Sequence, residues 1–94
     1  MTKILVGNNG IDYTFDASAK TVTITGLTSD LRLDQVLLIT NITDNELIYS
    51  FADPDLGGSV SSNVITLNFD TTPMSDTDEL QIDLVYNNDQ DYTL

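Results

Sequence analysis

The sequence predicts an all-β fold, a small antiparallel β-sandwich of about six to eight short strands, immunoglobulin-like or jelly-roll-like, and three observations carry that expectation. Apolar residues alternate with polar ones at a period of two in IDYTFD and TVTIT, the pattern of strands with one buried face. Glycine, asparagine, aspartate and proline punctuate the chain at short intervals, as turns between strands do. No segment sustains a helical period. One domain is expected over residues 1–86. An acidic tail follows at 87–94 (NNDQDYTL), too poor in apolar side chains to fold alone and therefore flexible or bound to a partner.

Taken in order, residues 2–6 (TKILV) form a short first strand that ends at Gly7-Asn8-Asn9-Gly10, residues that accept positive φ. In the next strand Ile11, Tyr13 and Phe15 share the inward face and Asp12, Thr14 and Asp16 the outward one. Residues 21–25 repeat the pattern with Val22 and Ile24 inward and three threonines outward, and DASAK between them closes a hairpin. Gly26 stops that strand. Residues 27–34 (LTSDLRLD) are read as a plug in which Leu27, Leu31 and Leu33 close one end of the sandwich, since too few residues follow Ser29 and Asp30 to sustain a helix.

Residues 35–51, QVLLITNITDNELIYSF, are read as the central hairpin, with its turn at 41–45. Apolar side chains that point both ways along a strand call for cover on both faces, which places this hairpin in the middle of the molecule. Residues 52–62 (ADPDLGGSVSS) are expected to be irregular because of Pro54 and the Gly57-Gly58 pair. A strand over 63–69 turns Ile65, Leu67 and Phe69 one way. After the polar loop 70–78, a last strand over 79–86 turns Leu80, Ile82, Leu84 and Tyr86 one way and Gln81 and Asp83 the other.

Composition bounds function more firmly than any motif. A chain of 94 residues hides only about 60–65% of its unfolded surface. With no cysteine there is neither a disulfide nor a thiolate metal site, and with no histidine the commonest general base and metal ligand are missing. A small domain without such staples gains stability from a partner surface, so a homo-oligomer or an attached module is expected. Fifteen acidic residues against three basic ones give a net charge of −12, which repels phosphate backbones and anionic lipid and argues against nucleic-acid or membrane partners. Residues 1–10 lack the apolar run of a signal peptide, and no stretch has the length of a membrane-spanning helix, so the chain is expected to be made in the cytoplasm and to leave it only within a larger particle.

The acidic loops are the only places where site chemistry gathers. Asp53 and Asp55 beside Gly57-Gly58, and Asp76, Asp78 and Glu79 in the later loop, offer the oxygen ligands that calcium takes, but neither loop has the spacing of a calcium-binding helix-loop-helix. The competing reading, that these aspartates are turn formers, is favoured. No other cofactor is expected. Serines and threonines have no histidine to activate them, with Lys3 and Lys20 as the only amines, so no catalytic residues are assigned and no enzyme is expected. Paired carboxylates at a sugar cleft would need more room than a domain of this size offers. Tyr13, Tyr49 and Tyr86 take packing positions in strands, whereas Tyr92 stands in the polar tail. Strand edges and termini are therefore the expected partner contacts, through Ile4 and Val6 at one end and Tyr92 and Leu94 at the other.

The segments YTFDASAKTVTITG, LLITNITDNELIYSFADPDLGG and VITLNFDTTPMSDTDELQI, in that order over most of residues 11–85, resemble small β-rich virion structural proteins of tailed bacteriophages. In that group a YxFDASAKTVT hairpin, a central LLITN and a late DTTxMSDTDxLQI recur together in one domain. The resemblance implies a non-enzymatic particle component, foremost a capsid decoration or cementing (auxiliary head) protein, with the major capsid protein or other virion proteins as partners and the virion as location. A neck or tail component is the alternative, and a different class altogether is an adhesin-like sandwich that binds carbohydrate or calcium at the acidic loops. The group supplies no site motif to transfer onto these residues.

Overall fold

The computed structural model describes residues 2–7 and 10–86, apart from the side chains of Thr2 and Tyr86. It is an all-β sandwich of eight strands in two antiparallel sheets: β1 (Thr2–Leu5), β2 (Asp12–Asp16), β3 (Thr21–Thr25), β4 (Val36–Asn41), β5 (Glu46–Ser50), β6 (Gly58–Ser61), β7 (Val64–Leu67) and β8 (Leu80–Tyr86). One sheet has the order β1-β8-β4-β5 and the other β2-β3-β7-β6. Three hairpins, β2-β3, β4-β5 and β6-β7, fall alternately in the two sheets, and β1 and β8 pair beside each other to complete the first. Each connection between hairpins therefore crosses from one sheet to the other over an end of the sandwich.

The inward faces form one core. Val22, Val36, Ile39, Ile48, Ile65, Ile82 and Leu84 are fully excluded from solvent, with Ile11, Ile24, Phe15 and Leu67 nearly so. Truncating any of these isoleucines or leucines to alanine would cost about 2–5 kcal/mol, which in a domain this small approaches its whole stability. Leu31 is buried and Leu27 and Leu33 pack against the core, so the leucine plug closes one end as expected. Residues Leu33–Gln35 still wind a single 3-10 turn there, capped by Gln35 Oε1 accepting the Arg32 N–H at 2.8 Å.

The hairpin expected at the centre lies elsewhere. β4 is internal, but β5 is an edge strand, and neither strand needs cover on both faces. Two bulges account for the unbroken apolar run. Val36 pairs with Leu84 and Leu38 with Asp83, leaving Leu37 as an extra residue opposite β8. Ile39 pairs with Tyr49 and Thr40 with Leu47, leaving Ile48 extra on β5. Each bulge shifts the in-out phase by one residue. Val36 and Ile39 thus both point inward, Ile48 and Tyr49 are both buried, and Leu38 faces out.

The stretch expected to be irregular holds an element of each kind: a 3-10 turn, Pro54–Leu56, and the edge strand β6. Gly58 starts that strand because its backbone lies against β7, where a Cβ would stand 2.5 Å from the Thr66 carbonyl oxygen. The hairpin to β7 then closes through Ser62 and Asn63, both at positive φ (51° and 65°), the signature of a two-residue primed turn. Tyr13, expected inward, is half-buried at a sandwich end, and its hydroxyl accepts the Leu80 N–H at 2.9 Å.

Candidate functional site

The acidic loop between β7 and β8 is a clamp built from side-chain hydrogen bonds. Thr71, fully buried, donates its hydroxyl to the Ala17 carbonyl at 2.7 Å, while Asp76 Oδ1 accepts the Ala17 N–H at 2.7 Å. Both bonds hold the tip of the β2-β3 hairpin. Asp78 Oδ2 accepts from the side-chain amide of the fully buried Asn41 at 3.0 Å and from the Ser75 N–H at 3.2 Å. Asn41 Oδ1 in turn accepts the Asp44 N–H at 2.9 Å, and Thr43 Oγ1 accepts the Glu79 N–H at 2.8 Å. One loop thereby fastens the turns of two hairpins from opposite sheets.

The carboxylates singled out as calcium ligands are thus placed as follows. Asp76 and Asp78 line a shallow concavity with Asp12 and Tyr13, yet each has an oxygen turned to the protein's own donors. Asp53 caps the Pro54–Leu56 turn, its Oδ1 accepting the Asp55 N–H at 3.0 Å, and the Asp55 and Glu79 side chains are exposed. Among the described residues no three Asp, Glu, His or Cys side chains converge as a metal site would require. Asp70 shows the same local chemistry: the Thr72 hydroxyl and N–H, at 2.6 and 3.1 Å, hold its carboxyl below the usual range.

Of the expected partner contacts, Val6 belongs to the core and Ile4 packs against it. Their strand is integral to the fold, with β1 in register along β8 and the Val6 N–H donating to the Ile82 carbonyl at 3.0 Å. The outward residues of β1 are Lys3 and Leu5. Tyr92 and Leu94 lie outside the described residues.

The surface feature that alternation left hidden is a difference between the two outer faces. Directly paired residues share a face, so the pairings Leu5–Asp83, Asp83–Leu38 and Leu38–Ser50 trace a row across all four strands of the β1-β8-β4-β5 sheet. Beside it runs Gln81–Thr40–Leu47, and Lys3–Val85 lies on the other side. Leu5, Leu38 and Leu47 are 44%, 39% and 38% exposed. Ile42 and Phe51, the other large exposed apolar residues among those described, flank the strands of the same sheet. The opposite face, built from β2, β3, β7 and β6, presents Asp12, Thr14, Asp16, Thr21, Thr23, Thr25, Thr66, Ser59 and Ser61, with Val64 its single apolar member. Scattered exposed leucines are ordinary; their confinement to one side of a sandwich is not.

Leu38 and Leu47 are hidden in the sequence because the apolar runs around them read as strands that need cover on both faces, whereas the bulges at Leu37 and Ile48 set which side chains turn outward. Leu5 stands in an unbulged strand as the outward neighbour of Ile4 and Val6, and Phe51 lies just past the end of β5. The runs VLLI and LIY, too apolar for one-sided strands, were the available signal.

Fold and surface together define an all-β sandwich with two chemically different sides, one of hydroxyls and carboxylates and one of exposed leucines. In comparisons with protein-family models, with curated proteins and with solved structures, nothing matches this chain.

Proposed function

We propose that this chain is a non-enzymatic structural protein of a tailed-bacteriophage virion, a capsid decoration or auxiliary head protein. In this reading it docks by the leucine-bearing outer face of the β1-β8-β4-β5 sheet and turns its threonine, serine and aspartate face to solvent. The observation that carries the docking side is the asymmetry of the two outer faces; the particle context comes from the resemblance of the YTFDASAKTVTITG, LLITN and DTTPMSDTDELQI segments. Apolar area removed from water contributes about 25 cal/mol per Å2, so a lattice that covers Leu5, Leu38 and Leu47 together gains from each. The hydroxyl face offers no comparable gain.

The test mixes purified protein with phage heads that lack it and measures saturable occupancy by sedimentation. Leu38→Glu and Leu47→Glu are expected to abolish attachment while leaving the fold intact, because both side chains already meet solvent. Thr23→Glu on the other face is expected to attach normally. Occupancy that is indifferent to the leucine substitutions removes the docking face, and absence of saturable occupancy on heads transfers the reading to a neck or tail assembly, tested in the same way on tails.

A further inference from the structure

A groove of about 440 Å3 lies where β5 ends, lined on its apolar side by Leu33, Tyr49, Phe51 and Pro54 and at its rim by Asp34 and Asp53. Phe51 is 60% exposed, more than any other large apolar residue among those described. Its backbone is nonetheless fixed, since its N–H donates to the Leu37 carbonyl at 2.9 Å. The ring is therefore presented just past the end of β5 by a backbone hydrogen-bonded to β4. Asp53 is fixed as well, held by its cap on the Pro54–Leu56 turn. A carboxylate has about four lone-pair positions, and this cap engages one oxygen. Asp34, by contrast, is ion-paired with Arg32 at 3.1 Å. None of the chain's three cations lines the groove.

An aromatic face and a carboxylate at one concavity, in a chain of net charge −12, complement a cation that is itself partly apolar. Arginine fits that description better than lysine: its planar guanidinium stacks on a ring while its edge donates to a carboxylate, and it is the more weakly hydrated of the two. We propose that this groove seats an arginine side chain of a partner protein, its guanidinium over the Phe51 ring and its N–H groups toward the Asp53 carboxylate. Ser50 lines the groove and also ends the Leu5–Asp83–Leu38 row, so a protein seated on the sheet face reaches the groove at its border. The proposal adds a contact beyond that face and does not depend on which particle carries the arginine.

The experiment titrates isotope-labelled full-length protein with the peptide acetyl-Leu-Arg-Leu-amide and follows the backbone amides by NMR. Counterpart peptides carry citrulline or glutamate in place of arginine. Saturable shifts centred on Phe51, Asp53 and Gly57 are expected with the arginine peptide, weakening as salt is raised and falling at least about tenfold in affinity with citrulline, the loss of a charge-assisted pair. Asp53→Asn retains a good capping residue and should keep the native spectrum while losing most of the binding; Phe51→Ala should do the same. Equal shifts with citrulline or glutamate, undiminished binding by Asp53→Asn, or no groove shifts with the arginine peptide would each overturn the proposal. So would shifts at these amides that grow with protein concentration alone, which would put a second copy of the chain in the groove. Head attachment is read separately with Leu38→Glu, so failure of the docking face and failure of the groove are told apart.

Discussion

Asn41 shows how a single polar side chain can be worth more inside this core than a hydrophobic one. It is fully buried, donates to Asp78 and accepts from Asp44. Replacing it with leucine, which is bulkier and carries no polar atoms, removes both bonds and crowds a fully buried site, at a cost of about 1–3 kcal/mol. Asn41→Leu should therefore lower the urea midpoint markedly. Thr71→Val, which removes one hydroxyl bond to the Ala17 carbonyl, should lower the unfolding free energy by about 1–2 kcal/mol, with a correspondingly smaller fall in the midpoint. Tyr49 contributes a dependence on pH. Burial pushes its phenol up from the ordinary value, so the unfolded chain releases this proton first as pH rises through about 10. The folded state then binds more protons than the unfolded one, and stability falls in that range. Urea unfolding at pH 8 and at pH 10.5 should show a smaller alkaline loss for Tyr49→Phe than for the parent protein.

At the scale of elements, the hairpins differ in how openly they were written. β2 and β3 were legible because strict alternation survives along both, and Ile24, Val22 and Phe15 lie buried where the pattern put them. β8 was legible for the same reason through Leu80, Ile82 and Leu84. β6 was not, because its pair of glycines reads as a breaker when the reason for Gly58, close approach to the Thr66 carbonyl, is set by a strand met later in the chain. Gly58→Ala should destabilise by about 1–3 kcal/mol as an overpacked contact with backbone. The neighbouring turn gives a companion test. Asn63 holds positive φ, its side chain accepts the Leu31 N–H at 2.7 Å, and its carbonyl accepts the Ile24 N–H at 2.9 Å. Asn63→Ala should cost about 2 kcal/mol by thermal or urea unfolding, against a near-neutral Ser62→Gly at the other positive-φ position.

For the whole molecule, charge and asymmetry act together. A net charge of −12 opposes compaction and self-association alike, so raising salt at neutral pH should raise the urea midpoint of the isolated domain. The acidic loop sits within that field as a fastener between hairpins. Calcium should therefore leave the melting temperature unchanged, whereas Asp76→Ala, which frees the Ala17 N–H from its acceptor, should lower it. A calcium-dependent rise that disappears in Asp76→Ala would revive the loop as a metal site. Of the residues that the sequence offers for function, Asp53 caps a turn, Asp76 and Asp78 clamp neighbouring loops, Asp55 and Glu79 have exposed side chains, Val6 belongs to the core and Ile4 packs against it. The exposed leucines and Phe51 emerged from register alone.

The sequence by itself determined the β class, the leucine plug and most of the inward residues, because a period of two and the chemistry of turn residues are local properties that short segments express without help. Tertiary structure alone decided which strands stand at the edges, where the two bulges fall, and hence which leucines face out. Those outcomes depend on pairing between residues far apart in the chain, such as Leu38 with Asp83 and Leu5 with Asp83. A one-residue shift in such a pairing exchanges core for surface.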